Sequence, residues 1–263
     1  MSRTIITFAL VMLVCCGARQ RYHSPQVILP ALVVNSATYP AIVFQSSTTN
    51  YVTNATAVVS SVTTTNPTCN VGDLLVAAML NCGSGTAGFV TPTGWTKMDE
   101  ELRTSSPLLG AATFYQVATN GASGATTTWT YGGTAGTWQE VYVMRWTGNS
   151  TVTPIQAHVT WDPVGPYSVW IGSSPLIITS AANIVAIAMP RQSVASFSAI
   201  TTYGGSPNVL YTNRIVDLGG TRPAFMMADS TLTSDGFGNA RDFTVTIGTS
   251  RGGACWQFAI NHQ

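Results

Sequence analysis

Charge is scarce in this 263-residue chain. Only 8% of its residues are charged, Lys97 is its one lysine, and 11 basic residues face 10 acidic ones. A chain so close to neutrality has no long-range field to attract phosphates, so nucleic acid is not an expected partner. Intrinsic disorder is not expected either, because disordered chains combine high net charge with low hydrophobicity, whereas 45% of this chain is hydrophobic.

Residues that carry chemistry are also few. Of three histidines, His158 is the lone candidate for a general base, and it accompanies neither a nucleophile elbow nor a metalloprotease helix. The acidic cluster Asp99–Glu101 favours a solvated hairpin tip over a calcium site. A glycosidase needs two facing carboxylates, for which Glu140 with Asp162 or Asp229 is the available choice. The sequence therefore predicts no enzyme activity, no cofactor and no metal.

The cysteine spacing does not match a zinc site. After the N-terminal pair of cysteines, an odd number of thiols remains. Cys69 and Cys82 flank the run Leu74–Leu80, which as a straight strand would hold them too far apart for a disulfide. Cys255 could pair with either Cys69 or Cys82. The alternative is that all three are small buried thiols.

The N-terminus resembles a secretory signal. A basic start precedes the apolar run Ile5–Val14, and small residues lead to Ala18, so residues 1–18 are predicted to be a signal peptide. The run is shorter than the roughly 20 residues that span a bilayer. If it is retained, it would instead be a buried arm between subunits. Residues 19–40 contain Pro25, Pro30 and Pro40 and are predicted to form an extended arm.

Residues 41–263 are predicted to form a single antiparallel β-sandwich. The turn Gly72-Asp73 opens Leu74–Leu80, a run that is apolar on both faces and too short for a typical helix. Phe243–Ile247 alternates apolar and polar residues, as a strand with one buried face does. No 3.6-residue stripe, internal repeat or domain boundary follows the arm. The predicted strands are 41–45, 57–63, 73–80, 111–118, 126–131, 138–146, 169–171, 176–179, 184–189, 209–217, 224–228, 243–247 and 255–260.

Aromatic residues are the remaining candidates for a binding surface. Trp95, Trp129, Trp138 and Trp161 could contact a ligand or partner. Their alternative role is core packing, which is expected for Trp95 behind the Pro92–Gly94 loop and for tryptophans at strand positions. Two or three exposed, coplanar rings would instead make a surface on which sugars stack.

Several motifs together resemble a known domain. They are Gly72–Ala77, Thr91–Thr96, Ala112–Ala118, Thr127–Thr130, Arg145–Gly148 and Thr153–Ile155. In this order they are similar to a jelly-roll-like β-sandwich that recurs in bacteriophage tail, fibre and other virion proteins and in bacterial surface proteins. The resemblance covers Ala41–Ile260. It implies a non-enzymatic structural or recognition protein that acts in assembly, decoration or host attachment.

The same resemblance sets the expected location and partners. It implies an extracellular protein, on a virion surface or secreted to a cell surface, whose partners are identical subunits or other virion and surface proteins. The export-like N-terminus favours a surface or secreted protein, or a virus that assembles at a membrane. A secreted module that binds surface glycans is the alternative function, and a glycoside hydrolase is a less favoured one.

Overall fold

The described residues form sixteen strands and no α-helix. The computed structural model describes residues 40–53, 59–82, 88–103, 109–133, 136–161, 167–172, 182–198, 201–203, 211–220, 222–232 and 242–263. Within these ranges, no helix has the length and apolar character needed to cross a membrane. Every strand pair is antiparallel. The all-β, antiparallel prediction is therefore confirmed.

The strands fall into two consecutive halves. The first half contains β1 (Val43–Thr53), β2 (Ser61–Thr65), β3 (Leu74–Asn81), β4 (Phe89–Val90), β5 (Thr96–Arg103), β6 (Leu109–Val117), β7 (Thr126–Tyr131) and β8 (Trp138–Thr147). The second half contains β9 (Ile155–Trp161), β10 (Tyr167–Gly172), β11 (Ala182–Pro190), β12 (Thr201–Tyr203), β13 (Thr212–Asp217), β14 (Phe225–Leu232), β15 (Asp242–Arg251) and β16 (Gly253–Asn261).

Strand order repeats between the halves. The first half has a central sheet, β1-β8-β3-β6-β5, and an outer sheet, β2-β7-β4. Adding eight to each number gives the second central sheet, β9-β16-β11-β14-β13, and the second outer sheet, β10-β15-β12. In each half the first strand pairs with the eighth, the second with the seventh and the third with the sixth, as in a jelly roll. This repeat of topology was not predicted, since the sequence shows no internal repeat.

Apolar clusters separate four layers of sheet. One cluster contains residues of both central sheets, including Val76 and Met144 from the first half and Ile187 and Phe258 from the second. A second cluster joins the first central sheet to its outer sheet. A third lies on the opposite face of the second central sheet and includes Ile247 from its outer sheet. The sandwich is therefore two jelly rolls packed through their central sheets.

This stacking explains why the central strands are apolar on both faces. All eight residues of β3 are buried. Leu74 and Val76 belong to the cluster between the central sheets, whereas Leu75 and Ala77 belong to the cluster under the outer sheet. Strands β11 and β16 are covered on both sides in the same way. Because side chains alternate between faces, a strand covered on both sides is apolar at most of its positions.

The Gly72-Asp73 turn has the structure predicted for it. Gly72 has φ +94°, which favours glycine, and Asp73 Oδ2 accepts a hydrogen bond from the Asn70 amide at 2.7 Å. The same oxygen accepts a hydrogen bond from Arg145 Nε at 2.7 Å. The turn and the ion pair together fix the start of β3 against β8.

The acidic cluster is not at a hairpin tip. Asp99–Glu101 lies inside β5, an edge strand of the first central sheet, so that prediction was wrong. Strands β4, β5, β9 and β12 were not predicted. The predicted strand Leu176–Thr179 lies outside the described residues.

The turn after β8 lies close to the chain at Ala41, and this close contact can be tested. Gly148 has φ +80°, and a Cβ there would collide with the Ala41 carbonyl oxygen. Gly121 has φ +87°, and a Cβ there would meet nothing within 4 Å. We expect Gly121→Ala to cost about 1–2 kcal/mol from backbone strain alone. Gly148→Ala should lower the free energy of unfolding by at least about 2 kcal/mol more, measured by denaturant titration. Equal losses would contradict the close approach.

Candidate functional site

Two of the four candidate tryptophans lie in the core. Trp95 is 7% exposed and Trp129 is fully buried, and their ring centroids are 4.8 Å apart in an edge-on arrangement. Trp129 Nε1 donates a hydrogen bond to Thr64 Oγ1 at 2.8 Å. Both rings therefore hold the first central sheet to its outer sheet, as the core-packing alternative predicted.

Trp138 does not supply a platform for ligand stacking either. Trp138 is half-buried and packs against the cluster between the central sheets. Trp161 pairs through its backbone with Cys255, and its side chain lies outside the described part of the structure. Trp95, Trp129 and Trp138 therefore give no set of exposed, coplanar rings.

The predicted disulfide is not formed. Cys69, Cys82 and Cys255 are all free thiols. Cys255 is buried in the cluster between the second central sheet and its outer sheet, whereas Cys69 packs against the corresponding cluster of the first half. Burial raises the pKa of Cys82 to about 12 and that of Cys255 well above its ordinary value. Burial therefore favours the neutral thiol at Cys82 and Cys255. Only Cys255 is the buried thiol that the alternative predicted, since Cys69 and Cys82 are partly exposed.

The acids of β5 bind groups of the protein itself. Glu100 Oε1 accepts hydrogen bonds from Lys97 Nζ at 2.9 Å and from the Phe89 amide at 2.6 Å. Asp99 Oδ2 lies 3.5 Å from His158 Nδ1, so edge strands β5 and β9 meet there. Among the described residues, no group of three or more histidines, cysteines or acids is arranged to hold a metal ion.

The carboxylates considered for glycoside hydrolysis do not face each other. Asp229 is buried on β14 and accepts a hydrogen bond from Arg214 Nε at 2.7 Å. Glu140 lies on β8 next to Tyr142, which stacks on Phe225 at a centroid distance of 3.8 Å. Phe225 is four residues before Asp229, or about 13 Å along β14. The two acids therefore belong to separate ion pairs, and Asp162 lies outside the described residues.

A charged cluster lies between the two halves at this point. Arg222, in the turn before β14, donates hydrogen bonds to Glu140 of β8 and to Asp217 of β13. Tyr142 OH donates to Asp217 Oδ2 at 2.9 Å and accepts from Arg222 Nη1 at 3.0 Å. The guanidinium carbon also lies 5.1 Å from the ring centroid of Tyr51. We call these five residues the seam cluster.

Local structure brings each member of the seam cluster into place. Tyr51 of β1 is the cross-strand partner of Glu140, and Glu140 and Tyr142 share one face of β8 because they are two residues apart. The β13–β14 turn is closed by the Arg222 amide, which donates to the Gly219 carbonyl at 3.0 Å. Gly219 has φ +84°, and the Asp217 carboxylate accepts a hydrogen bond from its amide at 2.9 Å. This turn lets Arg222 reach back across the seam.

Glu140 is the most deeply buried group of the seam cluster. Its side chain is 0% exposed, and its Oε2 atom has no hydrogen-bond partner. Burial raises the pKa of Glu140 to about 7, while the charge and hydrogen bond of Arg222 lower it in part. Burial, with the charges of Glu140 and Asp217, likewise raises the pKa of Tyr142. The pKa of Arg222 is raised because Tyr142 and Glu140 favour its charged form against the opposing effect of burial.

The seam cluster links the halves. One guanidinium joins a carboxylate of the first half to a carboxylate of the second, beneath a partly exposed tyrosine ring. Sequence reasoning identified Glu140 but missed Asp217 and Arg222, which are 77 and 82 positions away from Glu140 in sequence. The available signal was an acid between Trp138 and Tyr142 on a buried strand face, since a buried carboxylate needs a cation nearby.

Comparison with known proteins assigns no family. No family model matches the chain, and no curated protein or solved structure shows significant similarity to it. Its function must therefore be inferred from its own residues.

Removing the cation should destabilise the seam strongly. Above pH 7, where Glu140 is ionised, Arg222→Met leaves its buried carboxylate without a partner, which typically costs about 3–5 kcal/mol. The double variant Glu140→Gln/Arg222→Met removes that charge and should recover most of the lost stability, measured by denaturant titration. A double variant no more stable than Arg222→Met would contradict this role of the pair.

Glu140 in the seam cluster should also make the free energy of unfolding fall as the pH rises. The folded protein keeps the Glu140 proton up to about pH 7, whereas the unfolded chain releases it near pH 4.5. The folded state therefore binds more protons between these values, and this group's contribution to the free energy of unfolding falls as the pH rises through that window. Glu140→Gln should remove this fall, so the variant gains stability relative to the native protein at pH 8 but not at pH 4.5. Thermal melts at both pH values measure the difference, and an equal effect at both would contradict it.

Proposed function

We propose that this protein is a non-enzymatic structural building block outside the cell, on a virion or a cell surface, where it acts in assembly, decoration or attachment. The observation that supports the proposal is that charged side chains form ion pairs within the fold. Glu140, Asp229 and Asp73 each bind an arginine, and Glu100 binds Lys97. These four acids therefore hold strands and halves together.

The four-layer architecture also supports a structural role. Both central sheets are covered on both faces, so the described core is continuous through the two jelly rolls. A doubly covered sheet can bend or separate only by exposing apolar surface to water. Such a block suits a protein whose work is to keep its shape under load.

The motif residues that carry the family resemblance act in building this fold. Gly72-Asp73 forms the turn before β3, and Trp95 fills the core beneath the first outer sheet. The resemblance to virion and surface domains supports an extracellular location and partners that are identical subunits or other surface proteins. The glycan-binding alternative has less support, because Trp95 and Trp129 are buried.

Protease shaving of the native source tests the proposed location. Intact particles or cells are treated with trypsin, and the released peptides are identified by mass spectrometry before lysis. We expect release of peptides that end at exposed arginines such as Arg214, whose side chain is 37% exposed. A cytoplasmic marker from the same sample is the control for leakage, and recovery of this protein only together with that marker would contradict an external location.

A second measurement tests assembly. Size-exclusion chromatography with light scattering over a range of concentrations should show association with itself or with the purified surface fraction. A monodisperse monomer at the highest concentration, with no binding to that fraction, would contradict a role in assembly or decoration.

A further inference from the structure

The two halves are connected at one end of β8 and held by the seam cluster at the other. The connection, residues 148–154, begins where β8 ends, and backbone hydrogen bonds attach it to the second half. The Ser150 amide donates to the Asn261 carbonyl at 2.8 Å, and the Asn261 amide donates to the Pro154 carbonyl at 2.9 Å. Glu140 of the seam cluster lies about 23 Å from the last residue of β8. The seam cluster and the connection are therefore far apart.

The halves also meet differently along their two sides. On one side, edge strands β5 and β9 approach each other at Asp99 and His158. The topological equivalents of these two strands are β13 and β1 on the other side. There Arg222 binds Asp217 of β13 and lies against the ring of Tyr51 of β1. Side chains of the seam cluster therefore hold this side of the molecule together.

The layer between the halves contains buried polar atoms that lack a hydrogen-bond partner among the described residues. They include Glu140 Oε2 in the seam cluster and the indole nitrogens of Trp146 and Trp256 in the apolar cluster between the central sheets. Such an atom loses its hydrogen bonds to water on burial and gains none in return. Water that enters this layer would bind these atoms, which offsets part of the cost of exposing apolar surface.

Glu140 is the group of the seam whose charge depends most directly on opening. The groups that face it are Tyr51 of β1, Tyr142 of β8, Asp217 of β13 and Arg222 of the turn before β14. Its neighbour on β3, Leu80, has no charge. In the closed seam, burial raises the pKa of Glu140 to about 7, whereas hydration in an opened seam restores its ordinary pKa of 4.5. Opening therefore releases a proton, so a rise in pH favours it.

We propose that the seam cluster is a pH-controlled latch between the two halves, that ionisation of Glu140 opens it, and that the connection at residues 148–154 is the hinge. The opening is local. Strand pairing within each sheet stays intact, while Tyr142 separates from Phe225 and water enters the central layer at the seam. The latch is closed in acid and is released as the pH rises through neutrality. The environment can therefore control the shape of this corner of the block.

Two buried leucines of β3 are matched positions for reporters of this opening. Leu80 is the cross-strand partner of Glu140. Leu74 lies at the other end of the strand, where its amide donates a hydrogen bond to the side chain of Asn149 in the connection. Both leucines are 0% exposed, and both face the layer between the halves. A cysteine at either position reacts with a maleimide only when the layer opens there.

Thiol labelling tests the pH dependence of the latch. Leu80→Cys is introduced in a chain with Cys69→Ser and Cys82→Ser, and its rate of reaction with N-ethylmaleimide is divided by that of glutathione at the same pH. The corrected rate should rise about 70-fold from pH 5 to pH 8, as follows from the two pKa values of Glu140. Glu140→Gln should abolish this rise. A rate at Leu80→Cys that does not change with pH overturns the proposal.

The second position distinguishes local opening from global unfolding. At pH 8, Leu74→Cys should react at least about tenfold more slowly than Leu80→Cys, because the hinge end opens only when the whole chain unfolds. Its rate should also rise steeply with urea, since global unfolding exposes a large surface, whereas the rate at Leu80→Cys should change little. Equal rates at the two positions overturn the proposal.

A second reporter protects the test against loss of folding. Thermal melts check that each variant remains folded. Ala78 lies on the same face of β3 as Leu80, is 0% exposed and is the cross-strand partner of Tyr142. Ala78→Cys adds a single heavy atom there and should show the same rise with pH, again abolished by Glu140→Gln. No rise at this position also overturns the proposal.

Discussion

Each half of this protein has a central sheet with two apolar faces, and the half's own outer sheet covers only one of them. The other face of the first central sheet carries Val76, Met144 and Trp146, and that of the second carries Ile187 and Phe258. Either half alone would expose this surface to water, at a cost of about 25 cal/mol for every Å². Packing the two faces against each other removes both surfaces at once. The stability of each half therefore depends on the presence of the other.

Apolar packing alone does not determine how two such faces are aligned, because apolar contact has no preferred direction. The seam cluster adds direction. Arg222 must reach Glu140 on β8 and Asp217 on β13 together, and Tyr142 must stack on Phe225 while it bonds Asp217. A shift of one residue in either strand would move these side chains to the opposite face and leave Glu140 buried without a cation. The cluster thus fixes the alignment that the core makes favourable.

The sequence was sufficient to predict the inner strands, whereas it missed four of the eight edge strands. Leu74–Leu80 and Ile184–Met189 were recognised because burial on both faces leaves a continuous apolar run. The four strands that were missed, β4, β5, β9 and β12, are each at the edge of a sheet. Strand β5 contains Asp99, which meets His158 far away in sequence, and Glu100, which binds Lys97 and the Phe89 amide. Hydrophobic periodicity does not predict such contacts. Glu140 was noticed because an acid on an apolar strand is unusual. Arg222 was not noticed because it does not lie on such a strand.

The repeat of topology was invisible in the sequence because equivalent layers require similar burial and volume, not similar residues. In the first half, β3 presents Leu74, Val76 and Leu80 to the centre, whereas in the second half β11 presents Val185, Ile187 and Met189. The edges are under no such requirement and differ in chemistry. Strand β5 is acidic and meets β9, whereas its equivalent in the second half, β13, exposes Val216 to solvent. The interior therefore accounts for what the two halves have in common, and the edges account for what the molecule can contact.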